Sequence, residues 1–173
     1  MVALFRVPDP DRRVGAFAAV ALACVAAVGA ALVSQHVFDM QPCPWCVLQR
    51  VIYLAIALAC GLGLVWRGAT GRRVAAGLGL LLALAGVAAA LWQHFQAATS
   101  ASCKLTLADK IVSGWLQLDS LWPDVFSARA SCADAAVSLL GVSYDLWSLA
   151  LFIGVGLALL MVLRRGGAGR AGR

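Results

Sequence analysis

Four apolar runs, at about residues 14–35, 44–66, 74–95 and 146–163, alternate with polar segments along the chain. Each approaches or exceeds the ~20 residues that an α-helix needs to cross the hydrocarbon layer. The pattern predicts an all-α, four-helix transmembrane bundle, with 1–173 as a single integral membrane domain and no internal repeat. The first run is longer than the ~7–15 residues of a secretory signal core, so it reads as a retained span. Residues 67–73, with Gly68 and Gly71, form a tight turn, and Gly77, Gly79 and Gly86 in the third run allow helix backbones to approach closely in lipid. The outer loops fall at about 36–43 and 96–145. In the second, Leu107, Ile111, Trp115, Leu118 and Trp122 recur at helical spacing, with Asp109, Lys110, Ser113, Gln117 and Asp119 largely between them. That spacing predicts a short amphipathic helix in the membrane interface, anchored by two tryptophans and ending near Pro123.

Composition agrees with a lipid-solvated chain: 62% of the residues are hydrophobic and 13% charged, against roughly 25% charged in soluble domains. The net charge of +6 would suit nucleic acid, but its placement excludes that reading. Arg6, Arg12, Arg13, Arg67, Arg72, Arg73, Arg164, Arg165, Arg170 and Arg173 flank the runs at one end. Lys104, Lys110 and Arg129 share the other end with six aspartates. This positive-inside bias predicts cytoplasmic termini and outward-facing loops, with membrane lipid as the partner of the surface and no nucleic acid.

The cysteines carry the chemistry. Cys24 and Cys60 fall inside spans and read as inert apolar thiols. Cys43, Cys46, Cys103 and Cys132 all lie at the outer end, where an even number suggests two pairs. With Pro44 at the first helical position, Cys43 becomes the N-cap and Cys46 lies in the first turn, on one face with Arg50. A helix N-terminus, an arginine and a Cys-x-x-Cys arrangement each favour the thiolate. Zinc is disfavoured because Cys103 and Cys132 lack the close spacing of a second ligand pair, so no metal is expected. A structural staple remains open for Cys103 and Cys132, since closing a long loop is stabilising. A bridge from Cys43 to Cys46 constrains almost no chain, which points to exchange. Arg50 reads either as a snorkelling cation or as a group holding a thiolate or the developing charge on an acceptor. His36 and His94 end the first and third spans, with Trp92 and Trp147 nearby. Together they suggest a polar-rimmed apolar pocket for a flat, lipid-soluble ring, a quinone first among them.

Gln35-His36, Cys43-Pro44-Trp45-Cys46 with Gln49-Arg50, His94, and Cys103 with Cys132 around an interfacial helix together resemble the disulfide bond formation protein B family, over nearly the whole chain. The resemblance implies a membrane oxidoreductase of the bacterial inner membrane with periplasmic redox cysteines. It implies that Cys103 and Cys132 form the disulfide that re-oxidises a periplasmic thioredoxin-fold (DsbA-like) protein, with Cys103 the site of the mixed disulfide. Electrons would pass to Cys43 and Cys46 through a Cys43–Cys132 bridge, then leave Cys46 for ubiquinone or menaquinone beside Arg50, with His94, His36 and Trp147 around the ring. Gln49 departs from the family pattern, where many members carry an acid, and is expected to tune the site at most. A vitamin K epoxide reductase-like protein would place the quinone-facing Cys-x-x-Cys on the last core helix, not at the start of the second span. A disulfide-stapled scaffold would predict that no thiol changes state. Spans without buried carboxylates argue against an ion carrier.

Overall fold

The computed structural model describes residues 10–66, 68–97, 107–135 and 137–167; Cys103 and Lys104 lie outside them. Among these residues four helices are long and apolar enough to cross a membrane: Arg13–Val37, Pro44–Val65, Ala69–Phe95 and Tyr144–Arg164. They belong to α1 (Pro10–Val37), α2 (Pro44–Val65), α3 (Ala69–Trp92) and a final helix, Tyr144–Gly167. α1, α3 and the final helix begin before their apolar runs because backbone hydrogen bonding continues past the point where lipid ends, whereas α2 matches its run to within one residue. The protein is a multi-pass, all-α membrane protein.

Between α3 and the last helix, a π turn (Gln93–Ala97) is followed by the outer loop. The loop holds α4 (Leu107–Asp109), a second π turn (Lys110–Trp115), α5 (Leu118–Leu121), α6 (Pro123–Phe126) and a hairpin of β1 (Ser138–Leu139) and β2 (Val142–Ser143). The last helix is therefore α7. The hairpin, invisible in the hydropathy, turns through Leu140 and Gly141, both at positive φ, as a two-residue turn matched to strand twist requires.

The expected continuous interfacial helix over 107–122 is corrected. It breaks at Leu116 and Gln117, where Gln117 adopts φ 48°, and Pro123 opens a new turn instead of ending one. The two tryptophans do face outward, Trp115 83% and Trp122 67% exposed, as membrane anchors should. The face laid on the bundle is instead Ala108 and Val112, one turn apart and buried.

The order of packing positions the site. α2 is the central helix, held between α1 and α3, and α7 packs on α3. α1 and α7 touch only lightly, so a seam between them stays open. Buried positions on α1 run Phe17, Val20, Cys24, Val28, and those on α3 run Ala76, Gly79, Ala83, Gly86, Ala90, both at three-and-four spacing. Gly79 and Gly86 admit Leu159 and Phe152 of α7, whereas Gly77 has no neighbour where its Cβ would be, so only two of the three expected packing glycines act as such. Phe152 stacks on Tyr53 of α2, ring centroids 4.1 Å apart and 3° from parallel.

Candidate active site

The site begins with a capping geometry. Pro44 lacks an N–H and suits the first turn of α2, leaving Cys43 as N-cap in an extended conformation (φ −85°, ψ 167°). Its sulfur accepts from Cys46 N at 3.3 Å, and the two sulfurs lie 2.8 Å apart. Both are free thiols, as are the buried Cys24 and Cys60. Hydrogen bonding to the Cys46 sulfur, followed by burial, pushes the Cys43 thiol well above its ordinary range. Cys132 is disulfide-bonded and Cys43 is not, so no Cys43–Cys132 bridge is present in this state. Pro42 O accepts from Arg129 N at 3.0 Å and Ala130 N at 3.3 Å. This tether holds the segment leading to Cys132 against the residue before Cys43.

Two cavities meet at Cys46. The outer one, about 490 Å³, has a polar wall that includes Asp39, Gln41, Arg129 and Asp134. The inner one, about 420 Å³, lies at the α1–α7 seam, where Ala27, Ala30, Ala31 and Ser34 leave room beside Leu151. Cys46, Arg50 and Tyr144 line both, while Cys43 lines neither. The three-residue spacing that puts Cys43 and Cys46 in contact thus leaves one sulfur buried and the other open on two sides.

Arg50, 5% exposed, does not hydrogen-bond to sulfur. Its Nη1 donates to Gln35 Oε1 at 2.7 Å and Val125 O at 2.8 Å, and its Nη2 to Ala31 O at 3.4 Å. One charge therefore ties α1, α2 and α6 together, and Arg50 Nε–H is left buried without a partner among the described residues. Gln35, 2% exposed, completes the tie by donating to Asp124 O at 3.1 Å.

His36 corrects an expectation. It is exposed and lines neither cavity. One residue along a helix is a 100° turn, and Gln35 occupies the buried face in its place. His94 sits in the π turn, its Nδ1 2.6 Å from Asp145 Oδ2, and reaches the inner cavity only through that aspartate. Trp147 lines the inner cavity. Trp92 instead tilts against Trp45, ring centroids 6.3 Å apart, away from the seam cavity.

Sequence reasoning missed Gln93, Tyr53, Ser148, Tyr144 and Asp145. Gln93 Nε2 donates to Cys46 Sγ at 3.3 Å, Gln49 Nε2 donates to Gln93 Oε1 at 2.7 Å, and Ser148 Oγ donates to Gln49 Oε1 at 2.5 Å. A signal was present: Gln35 and Gln93 each continue a buried stripe by seven and three residues respectively, and a polar side chain on such a stripe must find a partner.

A cysteine pair capping a central helix, one sulfur buried and the other open to cavities at the rim of a four-span bundle, with a disulfide-bonded cysteine in the loop tethered above, defines a membrane oxidoreductase of disulfide bond formation. The chain belongs to the disulfide bond formation protein DsbB family, whose model matches residues 12–162. It is 38% identical over 133 residues to disulfide bond formation protein B 1 of Pseudomonas savastanoi pv. phaseolicola, covering 75% of this chain and 77% of that one. The disulfide bond formation protein B of Herminiimonas arsenicoxydans is 35% identical over 143 residues, with 82% and 89% covered. That of Polaromonas naphthalenivorans is 32% identical over 160 residues, with 91% and 93% covered.

Proposed function

We propose that the protein re-oxidises a periplasmic thioredoxin-fold dithiol protein of the DsbA kind and passes the electrons to a membrane quinone. Its termini would lie in the cytoplasm and its cysteines at the periplasmic face of the inner membrane. The observation that carries this reading is that Cys46, and not Cys43, opens both to the polar outer cavity and to the apolar cavity at the lipid seam.

The roles follow from placement. The Cys103–Cys132 disulfide accepts the partner's two electrons by exchange, with Cys103 the sulfur attacked, and is left as a dithiol. That dithiol reduces an oxidised Cys43–Cys46 pair through a Cys43–Cys132 bridge, Cys46 leaving as the thiolate. The Pro42 tether ties the chain just before Cys132 to the residue before Cys43.

The inner cavity fits a quinone ring: it is apolar along α1, opens at the seam to lipid, and ends on Cys46 and Arg50. Arg50 and Trp147 would hold the ring there, with His94 acting through Asp145; ubiquinone and menaquinone both suit such a wall, and His36 would face water. When bound, a quinone accepts the two electrons and two protons. The protein's own part is to present Cys46 Sγ, keep Arg50 charged beside it and exclude bulk water on the seam side.

The test is purified protein with a reduced thioredoxin-fold partner and ubiquinone-1 or menaquinone-1. One quinone should be reduced for each partner disulfide formed; thiol loss without quinone reduction refutes the proposal. Arg50→Met should raise the quinone KM about tenfold, the worth of a charge-assisted hydrogen bond. The partner's KM should move by about twofold or less, because partner contact is made at the loop disulfide; an unchanged quinone KM returns Arg50 to a purely structural tie between helices.

A further inference from the structure

The only side-chain N–H donor to Cys46 Sγ among the described residues belongs to Gln93, 3.3 Å away. We infer that Gln93 is a catalytic residue that holds the charge of the Cys46 thiolate, and that Gln49, Ser148 and Tyr53 are positioning residues that keep its amide turned the right way. The inference rests on Cys46 being the sulfur that hands electrons on.

Direction is the core of the case. A thiolate can only accept, so Gln93 must present its NH2 group, which leaves Gln93 Oε1 needing a donor. Gln49 Nε2 supplies it at 2.7 Å, and Gln49 Oε1 in turn accepts from Ser148 Oγ at 2.5 Å. Tyr53 closes the chain, its hydroxyl 2.9 Å from Ser148 Oγ and 3.0 Å from Ser148 O. From Ser148 onward the donated hydrogens run Ser148 to Gln49 to Gln93 to sulfur, while Tyr53 anchors Ser148 by donating to its carbonyl oxygen. Turning one amide over would set acceptor against acceptor or donor against donor, a cost that is high where water cannot repair it.

Local structure delivers the amide. Gln93 N is shared between Ala89 O and Ala90 O, the point where α3 widens into the π turn. Gln93 extends the buried stripe of Gly86 and Ala90, so its side chain, 8% exposed, enters the bundle. Single-turn π segments recur at functional positions because they re-aim side chains. The relay carries no net charge, so it supports an anion at membrane depth without adding a further ion to the buried Arg50. Arg50 cannot replace it, as both of its terminal nitrogens are spent on Gln35 and backbone carbonyls.

The experiment uses the full-length reduced protein in detergent with no quinone present. Mass spectrometry follows iodoacetamide labelling of each cysteine from about pH 5 to pH 9. Gln93→Leu should slow labelling of Cys46 at neutral pH about tenfold and move its profile up by about one pH unit. Gln49→Leu and Ser148→Ala should slow it about threefold, in the same direction, by freeing the Gln93 amide to turn, and Ser148→Thr, which keeps the hydroxyl, should restore the native rate. A merely loosened bundle would instead speed labelling of the buried Cys24 and Cys60, and that result overturns the inference. So does native Cys46 labelling in a Gln93→Leu protein that unfolds at the native temperature. If Gln93→Leu does not fold, Gln49→Leu and Ser148→Ala decide, and native labelling in both refutes the relay. With quinone absent, a failure here is separate from a failure of quinone reduction by the unaltered protein.

Discussion

Cys46→Ser is expected to lower quinone reduction about a thousandfold or more, the loss typical of removing a nucleophile that acts as part of a unit. The same protein should retain Cys43, free to exchange with the loop disulfide that Pro42 holds close. Cys103 leaves as the thiolate when that bridge forms, and without Cys46 only Cys103 can reopen it, so the bridge accumulates. A non-reducing digest should therefore find Cys43 joined to Cys132, a species absent from the unaltered protein in its present state. Cys43→Ser should also stop turnover, but for the opposite reason: Cys46 stays open to both cavities and loses its supply of electrons. Stopped-flow absorbance of the quinone separates the two, together with the digest. Quinone reduction by Cys46→Ser within about tenfold of native would remove Cys46 from the electron path.

The spans were legible because lipid imposes a length and a polarity that few other constraints disturb. The N-cap at Cys43 was legible too, since Pro44 in a first turn leaves the preceding residue little choice. The neighbours of Cys46 were harder to read. Cys46, Arg50, Gln93 and Ser148 converge from three helices, and which faces meet depends on α7 packing on α3 while leaving α1 apart. His36 and Gln35 show how narrow the margin is, for both are polar and adjacent, and only continuation of the Phe17-to-Val28 stripe separates the buried one from the exposed one. Likewise the π turn places His94 on Asp145, a change of pitch that periodicity cannot register, whereas Gln93, at its first residue, still continues the α3 stripe. The loop helix failed for a local reason: Gln117 takes a left-handed conformation that hydropathy does not encode.

Gly86→Ala is expected to destabilise the bundle by about 2–3 kcal/mol, the upper part of the usual range for overpacking. A Cβ at Gly86 would overlap the Cδ1, Cε1 and Cζ edge of the Phe152 ring. The ring has nowhere to go: it is fully buried and stacked on Tyr53, whose hydroxyl is fixed on Ser148. Two other glycines supply the controls. At Gly79 the added carbon would meet Leu159 alone, its Cδ1 at 2.9 Å, the end of a buried but unstacked side chain, so Gly79→Ala should cost about 1 kcal/mol, less than Gly86→Ala. At Gly61 nothing lies within 4 Å, so Gly61→Ala should be neutral or stabilising by a few tenths of a kcal/mol through helix propensity. Unfolding of the purified proteins by heat or SDS ranks the three. Because the Phe152 ring leads through Tyr53 and Ser148 to Gln49, Gly86→Ala should also slow Cys46 labelling, whereas Gly79→Ala should not. Equal stability of the two variants would mean that α7 does not lean on α3 through Phe152, and that the wall of the inner cavity is set by some other contact.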